Sequence, residues 1–236
     1  RQKEVSSSSS SFLEPPSRSI VIARRRLATT TVTTEAELTT ALNNNARIEL
    51  AADILLTSTI SINGLTGVFI DGKGFEINGN DTVRCFYIYN GAEVALSNLT
   101  ITRGFATGVG GGLLIRDSAT VVTMEWCTVS VNTASTSNGG GLIITKSATV
   151  TMHWCTVSVN TADDGGGLYI SLATVTMDRC TVSLRSVVEA SSSPIHITVE
   201  ASASRAQRRL RWTGVPSLRT LLPGTAAVSI FQVSVN

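Results

Sequence analysis

Residues 118–145 read "SATVVTMEWCTVSVNTASTSNGGGLIIT", residues 147–170 read "SATVTMHWCTVSVNTADDGGGLYI", and residues 172–183 read "LATVTMDRCTVS". These are three copies of one pattern, with fixed apolar letters and variable loops. Triple glycines begin at 110, 139 and 165, a period of 29 and then 26 residues. A period of this size marks stacked units that cannot bury a core alone. Within each copy the apolar residues alternate with Thr, Ser or charged ones, which is how a strand with one buried face is written.

Three apolar threads run through the copies. Leu113/Ile115, Leu142/Ile144 and Leu168/Ile170 follow the glycines. Val121 or Val122 with Met124, Val150 with Met152, and Val175 with Met177 come next. Cys127/Val129, Cys155/Val157 and Cys180/Val182 close each copy, and Phe86/Ile88, Val94/Leu96 and Leu99/Ile101 form a degenerate upstream copy. Three short strands per unit and no helix predict an all-β fold: a single-stranded parallel β-helix, a solenoid in which each letter stacks on its own kind about 4.8 Å away. The chain has 236 residues, enough to bury a substantial core, and only 15% of them are charged. Abundant Thr and Val suit a pleated surface.

Ahead of the repeats, "TEAELTTALNNN" carries the spacing of a capping box in Thr34 and Glu37 and a narrow apolar stripe in Leu38 and Leu42. A short helix is expected there, capping the first open edge of the solenoid. Residues 1–31, with a serine run and Arg24-Arg25-Arg26, are expected to form a disordered tail. The β-helix domain is expected over residues 32–185. Residues 186–236 lose the repeat and are expected to be an irregular basic segment. The first residue is Arg1, so a preceding segment, a secretion signal included, is expected.

The quoted residues also carry a resemblance. "CTVSVNTADDGGGLYI" resembles the repeat of right-handed parallel β-helix proteins of the polymorphic-outer-membrane-protein type, which pair an aromatic-x-x-Asn motif with a Gly-Gly-aliphatic-Ile motif. The second motif is intact in Gly166-Gly167-Leu168-Tyr169-Ile170, whereas Cys155 or Val157 stands where an aromatic precedes Asn160. "LTGVFIDGKGFEINGN" resembles the opening coils of pectate-lyase-like β-helices. The resemblance implies the fold over residues 32–185. It does not imply one activity, because this fold hosts lyases, hydrolases, adhesins and ice binders alike.

Candidate site residues come from the polar column beside the cysteines. Glu125, His153 and Asp178 are equivalent positions, as are Trp126, Trp154 and Arg179. Acid, base and cation beside indoles are what polysaccharide cleavage uses, so Glu125, His153, Asp178 and Arg179 are the catalytic candidates and Trp126 and Trp154 the binding candidates. The competing reading is a soluble turn. The cysteines are expected to be buried small hydrophobes, and no metal site or cofactor is expected. The recurring Thr149/Thr151 and Thr174/Thr176, with Thr120/Thr123 disturbed, are expected to be ordinary exposed strand residues. The triple glycines are expected to permit tight turns.

A net charge of +2 argues against nucleic acid, and no apolar run is long enough to span a membrane. The leading expectation is a non-catalytic, secreted or cell-surface module for structure, adhesion, or binding of carbohydrate or a surface protein. The alternative is a polysaccharide lyase or glycoside hydrolase using the Glu/His/Asp column.

Overall fold

The computed structural model describes residues 28–163 and 165–182, together with the backbone of three further strands, Val187–Glu189, Ile197–Glu200 and Leu210–Trp212. It is a parallel β-solenoid of about five turns. Three sheets run along its length. Each full coil contributes a strand to sheet A, then to sheet B, then to sheet C. One coil comprises Val121–Glu125 in sheet A, Thr128–Ser130 in sheet B and Leu142–Thr145 in sheet C. The next comprises Thr149–His153, Thr156–Ser158 and Leu168–Ser171. The expectations for residues 1–27 and for most of residues 186–236 fall outside the described residues.

The register is that of the apolar threads. Leu113 faces Phe86 and Leu142, Met124 faces Leu96 and Met152, and Val129 faces Ile101 and Val157. All of these side chains are buried in one continuous core. The extra valine is resolved in favour of Val122, which pairs with Val150 and points inward, while Val121 lies opposite Thr149. Thr120 is therefore no ladder residue. It is fully buried at the corner, where its hydroxyl accepts the backbone N–H of Gly91 at 3.0 Å.

The helix spans Glu35–Ala41 with Thr34 as its N-cap, and the Glu37 backbone N–H donates to Thr34 Oγ1 at 3.2 Å. The reciprocal half of the box slips by one residue: the Glu37 carboxylate accepts from the backbone N–H of Thr33 at 2.7 Å and from its hydroxyl at 2.9 Å. Leu38 enters the core, and Glu35 accepts from the backbone N–H groups of Thr57 at 2.7 Å and Ser58 at 3.0 Å. Apolar and polar contacts together fix the helix across the first coil, as a cap must be fixed.

The glycine runs do more than turn. Gly139 takes a left-handed φ of +68°, but Gly140 is flanked by backbone from the next coil, so a Cβ there would sit 2.2 Å from the carbonyl oxygen of Thr161. The triplets are sites of close backbone approach between coils.

Candidate functional site

The corner between sheets A and B brings the predicted residues together. Glu125 pairs with His153 and His153 with Asp178 across successive rungs, so the three form one outward column. His153 Nδ1 lies 3.6 Å from Asp178 Oδ2, and Asp178 Oδ1 is buried without a hydrogen-bond partner among the described residues. Glu125 is exposed. Strand pairing sets Glu125 and Asp178 two rungs, about 9.6 Å, apart with His153 between them.

The next residue in each coil turns the chain into sheet B, and it does so in the left-handed region. Asn98 has φ 48°, Trp126 55°, Trp154 55° and Arg179 51°. Asparagine accepts this conformation readily, whereas for a bulky side chain it costs about 1–2 kcal/mol. Part of that cost is offset by stacking. The indoles of Trp126 and Trp154 lie parallel, with centroids 4.7 Å apart and 6° between planes, and the Arg179 guanidinium sits 4.3 Å from the Trp154 centroid. Such contacts contribute about 0.5–1.5 kcal/mol each.

The stack decides which indole is open. Trp154 is covered by Trp126 on one face and Arg179 on the other. Trp126, 55% exposed, covers Trp154 with one face and turns the other to a shallow groove of about 550 Å³. Lys73, Gly74, Asn98, Leu99 and Thr100 complete that groove. Lys73 brings a neutralised charge, since its Nζ is 3.2 Å from Glu49 and 3.1 Å from Asp71. Asp71 is desolvated, yet the backbone N–H and ammonium of Lys73 hold its carboxyl below the usual range. Sequence reasoning missed Lys73 and Thr100; Asn98 stands one coil before Trp126, at the equivalent position of the repeat.

Behind the corner lie the thiols. Cys127, Cys155 and Cys180 are buried and unpaired, and each donates to a carbonyl of the preceding coil: Leu96, Met124 and Met152, at 3.5, 3.4 and 3.4 Å. The thiol thus fills an apolar slot and also reaches an acceptor that a leucine would leave alone. Its hydrogen bond to Cys127, with burial, pushes the Cys155 thiol up to about 12, and burial pushes Cys85 up to about 12. A thiol reagent is therefore expected to label Cys85 and Cys155 only after denaturant is added. Raising the pH to about 9 should not speed the native reaction, because these thiols still hold their protons there. Rapid labelling of folded protein would contradict the core placement.

The model of the pectate lyase-like adhesive domain matches residues 29–152, more than half of the chain's 236 residues, from the first strand into the strand Thr149–His153. The chain belongs to the pectate lyase-like adhesive domain family. None of the curated proteins and none of the solved structures compared with it matches. By that family it is an adhesion-type β-helix module. Among the described residues, no helix of this adhesive domain is long and apolar enough to cross a membrane.

Proposed function

We propose that the protein is a non-catalytic adhesion module, acting at the cell surface or outside the cell, that holds carbohydrate against the open face of Trp126. The carrying observation is the corner itself. Backbone strain of this kind clusters where a protein uses a residue. Asn98 occupies the position at low cost, yet the following coils place two indoles there, one of them with a free face above a groove. A flat indole face suits the apolar C–H face of a sugar ring, and the groove's hydroxyl and amide groups suit its edge.

The enzymatic reading draws on the His153–Asp178 pair beside Glu125. Against it, His153 occupies the register position between the two carboxylates, where a scissile bond and its water would have to lie. Arg179 is also spent on Trp154 rather than aimed at a substrate charge.

Retention on a panel of immobilised glycans, with cleavage followed in parallel on pectate and alginate, tests the choice. The expected result is retention of at least one glycan, weakened about tenfold by Trp126→Asn, with no depolymerisation. That variant keeps a residue suited to the left-handed corner, so stability should change by under about 1 kcal/mol. Depolymerisation by the wild type that disappears in Glu125→Gln would replace this proposal with the enzymatic one.

A further inference from the structure

The groove at Trp126 opens onto the outer face of sheet B, because Thr100 belongs to both. Along that face the hydroxyls stand in register. Thr100, Thr128, Thr156 and Thr181 form one column through four successive coils, and Ser130 and Ser158 form a second beside it, behind a buried Thr102. The columns repeat about every 4.8 Å along the solenoid and lie about 6.7 Å apart across it. No side-chain hydrogen bond among the described residues engages Thr128, Ser130, Thr156 or Ser158, and from Thr100 to Thr181 the face carries no charged side chain.

In the two middle coils both margins are apolar and exposed, and Arg103 and Arg179 stand at the equivalent positions of the outer coils. Trp126 and Trp154 stand on one side, and Val131 and Val159, 48% and 71% exposed, on the other. The valines are also held left-handed, with φ 58° and 55°, a conformation that β-branched residues resist. A strip of free hydroxyls between two costly apolar margins is amphipathic in the same way as a sugar chain.

We infer that sheet B's outer face is a binding track for an extended, uncharged, β-linked polysaccharide lying along the solenoid axis, with one sugar per coil. This rests on the carbohydrate reading above and deepens it. Three features select the occupant. A β-1,4-linked pyranose adds to an extended chain a length close to the rise of one coil, and because successive sugars are turned by half a revolution, equivalent hydroxyls recur on the protein side at every second sugar and meet equivalent hydroxyls of every second coil. The face itself carries no cation for a uronate, and the cations at its margins are engaged: Lys73 with Glu49 and Asp71, Arg103 with Asp81, and Arg179 over the Trp154 ring. The ring's apolar faces match the Trp126 end of the track, where the chain would begin.

The test uses the full chain and depletion from solution by microcrystalline cellulose, chitin and insoluble polygalacturonate. Thr128→Val/Thr156→Val removes two hydroxyls without changing side-chain size much. Thr151→Val makes the same change on sheet A, and melting temperature checks that all variants fold. Wild-type retention on cellulose or chitin, little changed by salt, should fall about tenfold in the double variant and stay constant in Thr151→Val. Three outcomes overturn the inference. If Trp126→Asn weakens retention and Thr128→Val/Thr156→Val does not, the carbohydrate reading stands and the track does not. Retention on polygalacturonate alone would reverse the charge argument. Retention on none of the polymers would remove the carbohydrate reading itself, and thermal hysteresis in freezing solutions would then assign the ladder to ice.

Discussion

Asn132→Ala is expected to lower the free energy of unfolding by about 3–5 kcal/mol, a large share of the 5–15 kcal/mol typical of a domain. Asn132 is fully buried at the corner after sheet B and closes three coils at once. Its Oδ1 accepts the backbone N–H of Gly104 at 2.8 Å, and its Nδ2 donates to the carbonyls of Ile101 at 3.1 Å and Ser130 at 3.0 Å. One coil on, Asn160 repeats the arrangement: its Oδ1 accepts from the Asn132 backbone N–H at 2.9 Å, and its Nδ2 donates to the Val129 carbonyl at 2.9 Å. Alanine would leave the Gly104 N–H and the two carbonyls without partners in a dry corner, and each such group costs about 1–3 kcal/mol. Urea titration reads the loss as a lower midpoint at an unchanged slope. Asn132→Asp should be worse at neutral pH, since a carboxylate would face two carbonyls. Its folded-state pKa would be raised, so that penalty should shrink as the pH falls toward the unfolded value of about 3.9. A loss under about 1 kcal/mol in the alanine variant would mean that the asparagine pair does not hold the corner.

The fold was legible because a solenoid repeats its core in one dimension. Each inward position packs on its own equivalent one coil away, so Met124, Met152 and the cysteine column announce themselves as recurring letters. What failed to show in the letters was conformation. Val121 and Val122 are equally apolar, and only pairing of Val122 with Val150 separates them. Threonine columns drew attention on sheet A, where Thr149 and Thr151 alternate obviously. The more regular column of Thr100, Thr128, Thr156 and Thr181 was hidden inside "CTVS", where it reads as filler around an apolar pair.

The candidate site was legible to the same depth. Equivalence of Glu125, His153 and Asp178 follows from counting along the repeats, and the rungs place them so. Which indole is free does not follow from counting. It depends on the left-handed corner that lays Trp126 flat on Trp154 and leaves Arg179 above it. Nor does a tryptophan's strain appear in its one-letter code. It emerges only beside Asn98, which meets the same backbone demand without it.

The second large effect is expected from a single methyl group. In Gly140→Ala the new Cβ would lie 2.2 Å from the Thr161 oxygen, 2.5 Å from the Gly166 oxygen and 2.7 Å from the Thr161 carbonyl carbon. All three are backbone atoms of the next coil, so no rotamer change relieves the clash, and the coils must part. In a solenoid each coil is stabilised by its neighbours, and one parted interface uncouples the structure on either side of it. The expected cost is about 3–5 kcal/mol, seen in thermal melts as a broadened or two-step transition in place of one. Gly111→Ala should behave alike, with its Cβ 2.3 Å from the Thr133 oxygen one coil earlier. Gly108→Ala is the control. Nothing lies within 4 Å of its Cβ, so stability should shift by under about 0.5 kcal/mol. If Gly140→Ala melted like Gly108→Ala, the triplets would be turn residues only, and the close approach of successive coils would not be what selects glycine there.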